Sequence, residues 1–264
     1  MSKISVRFLL GLLAGLGLSC ATSPLGRQQL VFVPDSEMNA MGAQAFTQMK
    51  TAVPIDSNST TNNYVHCVAM AIVKVSQSQL PVPSWEVVVF EDKTANAFAL
   101  PGGKIGVHTG IFKVAKNADQ LAVVIAHEVG HVIARHGAER VSETLAVQGG
   151  LNALGMVTKD QGLLLGLLGV GAQYGILLPH SRTQETEADL IGLDLMARAG
   201  FDPRASIQLW QNMEKEAGGQ SPPEFLSTHP SSPNRIETLQ AHLSQAIPLS
   251  NQARAEGRHS SCHA

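Results

Sequence analysis

The sequence has little charge and no basic footprint for nucleic acid. Asp, Glu, Lys and Arg make up 15% of its 264 residues, and the formal net charge is −2 at pH 7. Proteins that bind nucleic acid neutralise phosphates with clustered Lys and Arg, so we expect no nucleic-acid partner. The sequence also lacks an internal repeat, which excludes a solenoid that recruits partners. The length is compatible with one domain that buries a sizeable core.

Long apolar runs are scarce as well. The run over residues 163–179 contains Gln173 and four glycines after Leu163, and it ends in Pro179. A membrane-spanning helix needs about 20 predominantly apolar residues. We therefore predict a buried or site-covering helix over 163–179 in preference to a membrane span.

The N-terminus is typical of an exported protein. Lys3 and Arg7 precede a short apolar core, and small residues follow that core. This order predicts a signal peptide over residues 1–19, too short to span a bilayer comfortably.

Cys20 stands at the junction where bacterial lipoproteins carry the cysteine that is acylated. Lipidation of Cys20 is our prediction. Ordinary signal cleavage near Cys20 is the alternative, because Gly17 occupies the position where lipoprotein signals usually carry Leu. Ala21 favours sorting to the outer membrane. Residues 20–34 would then form a tether.

The chain has three cysteines. A lipidated Cys20 leaves Cys67 and Cys262, and two leftover thiols in an oxidising periplasm most often form a disulfide. That bridge would pin the polar tail 251–264 to the domain. Metal binding by Cys262 with its neighbouring histidines is the alternative.

The most informative pattern is His127-Glu128-Val129-Gly130-His131, inside an apolar helical run. Histidines at i and i+4 share one face of a helix, so both imidazoles can reach one metal ion. The glutamate points to one side, where it can act as a general base without being a ligand. Polar groups in a buried helix need partners, so the pattern predicts a zinc hydrolase in preference to satisfied core residues.

A zinc hydrolase needs a third protein ligand. The third histidine of metzincins is excluded, because Gly137 stands at that position. His136 lies roughly 140° around a helix from His131, and we expect a surface residue or a support for a ligand. Glu185 and Asp189 share a face of a second predicted helix. We predict Glu185 as the third ligand and Asp189 as the carboxylate that orients a ligand imidazole.

Three motifs occur in the order found in peptidase family M48: residues 127–136, 181–192 and 227–236. The sequence resembles that family from about residue 40 to about residue 245. The family includes HtpX-like membrane proteases, CAAX prenyl endopeptidases, a mitochondrial inner-membrane stress peptidase and bacterial periplasmic lipoproteins. The resemblance implies an α+β, zincin-like (gluzincin) metallopeptidase fold, mostly helical with a small mixed β-sheet. We place that domain over residues 35–250.

The resemblance also implies a set of site residues. One zinc ion per chain would be held by His127, His131 and Glu185, with Glu128 as the general base. His229 and Arg235 would act near the same site.

His229 lies in a proline-bounded segment that we predict to be a rigid loop. Near the zinc, His229 could stabilise the developing oxyanion, with Arg235 adding charge. It could instead occupy the fourth zinc position and hold the enzyme off until substrate arrives, the alternative that we favour for the resting enzyme. A third alternative is that it caps the next helix.

Residues 96–100 are typical of a β-strand. In zincins the edge strand of the sheet faces the cleft and pairs with the substrate backbone. Asn96, Ala97, Phe98 and Ala99 are our candidates for that strand. A covered structural strand is the alternative.

These observations predict a zinc-dependent endopeptidase in the bacterial periplasm, held by a lipid anchor, with the outer membrane favoured. Pairing along an edge strand requires an extended backbone, so unfolded or misassembled envelope proteins are the expected substrates. A role in protein quality control rests mainly on the resemblance. The alternative is a chaperone-like binding lipoprotein with a largely latent, His-blocked zinc site, although the intact Glu128 argues against it.

Overall fold

A computed structural model describes residues 20–80, 82, 84–153, 180–218, 224–230, 234–258 and 262. The predicted signal peptide, 1–19, and the predicted buried helix over 163–179 lie outside these residues. Within the described part of the chain, no helix combines the length and the apolarity that crossing a membrane requires.

Helices dominate the described structure, as the sequence predicts. Eight α-helices lie within the described residues: α1 Asp35–Ala52, α2 Ser59–Ser76, α3 Ala118–Ile133, α4 His136–Ala153, α5 Arg182–Arg198, α6 Ala205–Ala217, α7 Glu224–Thr228 and α8 Arg235–Ala255. Side chains set several of their starts. The Asn58 side chain, for example, accepts hydrogen bonds from the N–H groups of Thr60 and Thr61 and so begins α2.

One small mixed sheet lies beside the helices. Its strands are β3 Glu86–Phe90, β4 Ala97–Leu100 and β5 Lys104–His108, in the order β3-β5-β4. β5 runs parallel to β3 and antiparallel to β4. Gly106 of β5 lets the Phe98 ring of β4 lie close, because an added Cβ would be 2.1 Å from that ring. The predicted α+β fold with a small mixed sheet is confirmed, and β4 is an edge strand of the described sheet.

Helix α3 is the centre of the fold. It packs against α5, α2, α6 and β4, and 13 of its 16 residues are buried. Two glycines let α3 and α5 touch along their backbones. A Cβ at Gly130 would lie 2.9 Å from the Ala188 carbonyl oxygen, and a Cβ at Gly192 would lie 2.8 Å from the backbone nitrogen of His127. Backbone contact therefore fixes the spacing of the two helices that carry the predicted ligands.

The N-terminal segment differs from our expectation of a tether over residues 20–34. Strands β1 Cys20–Thr22 and β2 Gln28–Leu30 form an antiparallel hairpin. Val31 and Val33 follow this hairpin and join a buried apolar cluster with side chains of α1 and α4. This burial removes apolar surface from water, so the segment is part of the packed domain.

The predicted disulfide is confirmed. Cys67 of α2 is bonded to Cys262, with a Cα–Cα distance of 5.7 Å and a sequence separation of 195. A crosslink over so long a loop lowers the entropy of the unfolded chain and stabilises the fold by about 5 kcal/mol in the chain-entropy model. Helix α8 continues to Ala255, so the polar tail begins later than the predicted residue 251.

Candidate metal centre

Four side chains from separate parts of the chain converge beside α3. They are His127 and His131 of α3, Glu185 of α5, and His229, which follows α7; all are buried, with ligand atoms within 4.8 Å of one another. The Nε2 atoms of His127 and His131 are 3.0 Å apart, and each is 3.4 Å from a Glu185 oxygen. Imidazole nitrogens and carboxylate oxygens are ligands that zinc prefers, so these four side chains, called the metal group below, fit a zinc ion.

Helix α5 owes its position to its first residues. The Ser181 hydroxyl accepts a hydrogen bond from the Gln184 N–H, while the Gln184 side chain accepts one from the Ser181 N–H. This capping box fixes where the helix begins. Glu185 then falls in the first turn and Asp189 one turn later, so both face α3.

Asp189 and Arg235 contact two of the predicted ligands. Asp189 Oδ1 lies 2.9 Å from His127 Nδ1, as expected for a carboxylate that orients a metal ligand. Arg235 donates to Asp189 at 2.8 Å and to Glu185 at 3.1 Å, and its guanidinium lies 3.4 Å from the centre of the Trp210 ring. Its guanidinium thus forms ion pairs with two carboxylates of the site, an arrangement suited to positioning them. The expected action of Arg235 on the oxyanion stays a prediction.

The surroundings of His229 also differ from prediction. The segment before it is the one-turn helix α7, and the His229 N–H donates to the Phe225 carbonyl oxygen at 2.8 Å. The His229 Nδ1 lies 3.0 Å from a Glu185 oxygen, and the ring stacks on Phe225 at 4.3 Å. A ring that faces the metal group does not cap α8, whose N-cap residue is Asn234.

Burial and hydrogen bonding oppose each other in this group. Burial alone lowers the pKa of His127, but contacts with Asp189 and Glu185 outweigh it and raise that pKa to about 9. Burial alone raises the pKa of Glu185, but contacts with His127, His131 and His229 outweigh it and hold that pKa far below its usual range. Glu185 is therefore an anion at neutral pH, the form in which a carboxylate binds a metal.

Glu128 lies between the metal group and the sheet. One of its oxygens is 3.3 Å from His229 Nε2, and the side chain is buried. Burial raises the pKa of Glu128, although the nearby His229 and His127 and a hydrogen bond from the Ala99 backbone oppose the rise. A carboxylate with a raised pKa is suited to accept and return a proton near neutral pH.

A cleft of about 260 Å³ opens beside these residues. The β4 strand lines one side, together with Asn96, which precedes it. Glu128, His131 and His229 also line the cleft, together with apolar side chains such as Met38 and Leu80. The predicted edge strand thus adjoins the general-base candidate, and the Asn96 side chain itself accepts a hydrogen bond from the Ala97 N–H.

Residues 59–243, more than half of the chain, match the model of Peptidase family M48. The chain belongs to peptidase family M48. The resemblance seen in the sequence is thereby confirmed.

Curated relatives of this M48 chain include mitochondrial and bacterial proteins. It is 42% identical over 194 residues to the mitochondrial metalloendopeptidase OMA1 of Schizosaccharomyces pombe, covering 73% of this chain and 56% of that protein. It is 31% identical over 219 residues to the beta-barrel assembly-enhancing protease of Escherichia coli K12, covering 79% and 44%. The chain spans about half the length of the curated relatives it matches.

The M48 chain has further polar side chains at the centre that helical spacing did not reveal. His136 is fully buried, so the expectation of a surface residue was wrong, while support of a ligand agrees with its contact to His131. The His180 ring lies 3.7 Å from the His131 ring and is hydrogen-bonded to Arg140. The position of His180 directly before the helix cap Ser181 is the only signal in the sequence that could have drawn attention to it.

Proposed function

We propose that the chain is a zinc-dependent endopeptidase that binds one zinc ion. The observation that carries this proposal is the convergence of His127, His131 and Glu185 next to Glu128 and an edge strand. The buried nitrogen and oxygen donors match those of a gluzincin site. Family membership and the names of the relatives, a metalloendopeptidase and a protease, favour the same activity.

The chain's own residues would divide the work of hydrolysis. His127, His131 and Glu185 would hold zinc, whose chemistry when bound is to polarise the scissile carbonyl and to activate water. Glu128 would take the proton of the attacking water and pass it to the leaving amine. Asp189 and Arg235 would keep the ligand set in place.

The position of β4 favours extended polypeptides as substrates. Ala97, Phe98 and Ala99 pair with β5 on one side, and the strand lines the cleft on the other. A peptide added at that edge would be held through its backbone, which tolerates many side chains. Folded proteins do not offer such a backbone, so we infer that unfolded or misassembled proteins are cleaved.

The proposed location is the bacterial periplasm, with the chain anchored through a lipid on Cys20 and the outer membrane favoured. The exported-type N-terminus supports this location. The name of the bacterial relative, a beta-barrel assembly-enhancing protease, favours envelope proteins as substrates and a role in quality control. The relatives named OMA1 are mitochondrial, so the proposed bacterial location rests on the N-terminus and on the bacterial relative.

A first prediction separates this function from a chaperone-like binding lipoprotein. Zinc-loaded protein is expected to cleave unfolded casein, and a chelator should reduce cleavage to background until zinc is restored, because the ion is part of the reaction. Fragments are measured by gel densitometry. A protein that binds casein and leaves it intact with zinc present would instead support the chaperone alternative.

A second prediction concerns His229. We propose that it is a fourth zinc ligand in the resting enzyme, because its Nδ1 lies within 3.3 Å of both His127 Nε2 and a Glu185 oxygen. Removing such a ligand in His229→Ala should raise casein cleavage and self-cleavage with zinc retained. The measurements are kcat, KM and zinc content, with His242→Ala as the control.

The competing role predicts the opposite result. A His229 that donates to the oxyanion would make kcat of His229→Ala fall by about 10²–10³-fold with zinc retained. Unchanged kcat, KM and zinc content would reject both roles.

A further inference from the structure

The outward-facing nitrogen of His131 begins a chain of buried polar contacts. Its Nε2 faces Glu185, whereas its Nδ1 lies 2.8 Å from the Nδ1 of His136. Two ring nitrogens at this distance need one proton between them. A neutral His131 that offers its Nε2 lone pair to a metal carries its proton on Nδ1 and donates it to His136.

The tautomer of His136 follows from this contact. Since His136 accepts at Nδ1, its own proton lies on Nε2. That nitrogen is 3.2 Å from Oε2 of Glu187, a buried carboxylate on α5. A neutral imidazole with one acceptor and one donor therefore connects the predicted ligand to a carboxylate.

Glu187 is held from its other side by the N-terminal hairpin. The Arg27 Nε donates to Glu187 Oε2 at 2.6 Å, and the Ser23 hydroxyl donates to the other oxygen. The remaining Arg27 nitrogens donate to the two oxygens of Glu139 at 2.5 and 2.7 Å. Arg27 lies between β1 and β2, so the hairpin supplies the charge on which this buried carboxylate relies.

The two predicted histidine ligands thus have matching supports. His127 is backed directly by Asp189, which Arg235 of α8 holds. His131 is backed by Glu187 through His136, and Arg27 of the hairpin holds that carboxylate. In metal sites, a carboxylate that accepts a hydrogen bond from the other ring N–H of a ligand histidine fixes the orientation of the imidazole and raises its basicity.

We propose that the hairpin of residues 20–30 strengthens zinc binding, because Arg27 positions His131 through Glu187 and His136. The inference deepens the proposed function and rests on it only in that zinc uses the His131 Nε2. A hairpin that serves packing alone would leave zinc affinity unchanged when these contacts are cut. If Arg27, Glu187 and His136 form a relay that supports His131, cutting these contacts lowers zinc affinity.

Zinc affinity is therefore the quantity to measure, by competition with a chromophoric chelator on the full chain. Arg27→Ala, His136→Ala and Glu187→Ala are each expected to weaken zinc binding by about 10–100-fold. Glu187→Gln keeps an oxygen that can accept from His136, and it should restore part of the loss. The absorption spectrum of bound Co²⁺ should shift in the alanine variants, because the orientation of His131 changes.

A matched control pair joins α8 to α5, the helix that carries Glu187. His242 of α8 lies 3.0 Å from Asp194 of α5, and neither residue belongs to the metal group. His242→Ala removes a histidine–carboxylate contact and should leave zinc affinity and the Co²⁺ spectrum unchanged. Thermal unfolding of each metal-free variant identifies temperatures at which all are folded.

The outcomes separate this inference from the proposed function. Wild-type zinc affinity in folded Arg27→Ala, His136→Ala and Glu187→Ala would overturn the relay and leave the peptidase proposal intact. A wild type that binds zinc but cleaves no casein would overturn the function, while reduced affinity in the variants would still support the relay.

Discussion

Glu128→Gln is expected to lower kcat for casein by about 10²–10⁴-fold, the contribution typical of a general acid–base residue. Glutamine has nearly the same shape as glutamate, but its amide does not accept the proton of the attacking water. The ligand candidates lie elsewhere, so zinc content should remain at the wild-type level. The measurements are kcat on labelled casein and metal analysis of the same sample.

An exposed glutamate provides the control for this substitution. Glu214 of α6 is exposed, and Glu214→Gln should retain wild-type kcat. Near-normal kcat in Glu128→Gln would contradict the assignment of Glu128 as the base. Loss of zinc from Glu128→Gln would show instead that the side chain is needed for the metal group.

Glu185→Ala is expected to take the protein from one bound zinc per chain to nearly none, with complete loss of casein cleavage. Glu185 supplies the one carboxylate among the predicted ligands, and its loss leaves His127 and His131 without the anion that both contact. Metal analysis after dialysis tests this expectation. Asp194→Ala, on the same helix but partly exposed, should keep its zinc.

A second comparison sets the zinc content of Glu187→Ala against that of Glu185→Ala. Its carboxylate contacts His136 and Arg27, so Glu187→Ala should weaken zinc binding without removing a ligand. Full loss of zinc from Glu187→Ala combined with full retention in Glu185→Ala would reverse the ligand assignment.

Local spacing predicted the elements of the site well. The period of a helix places His127 next to His131 and Glu185 next to Asp189, whatever the rest of the chain does. The disulfide followed from the small number of cysteines, and the edge strand from a short strand pattern. These features depend on nearby residues or on few alternatives.

Helical spacing failed for His136 because the helix does not continue. Arg135 adopts a positive φ of 57°, which ends α3, and α4 begins at His136. The projection of about 100° per residue therefore stops applying just before this residue. The chain changes direction at Arg135, and the His136 ring therefore contacts the His131 ring.

Contacts between distant segments could not be predicted from spacing. The pairing of Arg235 with two carboxylates was not predicted, and residues 20–34 were expected to be a tether. The ion pairs of Arg235 with Asp189 and of Arg27 with Glu187 join residues far apart in sequence. The packing of the helices and the hairpin decides which carboxylate each arginine contacts. No periodic pattern in the sequence indicates that packing.

The bond between Cys67 and Cys262 encloses every predicted zinc ligand and Glu128 within one covalent loop. A single cut of the backbone anywhere inside that loop leaves two polypeptides that remain one molecule. Such a nicked protein differs from the intact chain by one water and stays together even in denaturant. Autolysis therefore becomes visible as separate fragments only after the disulfide is reduced.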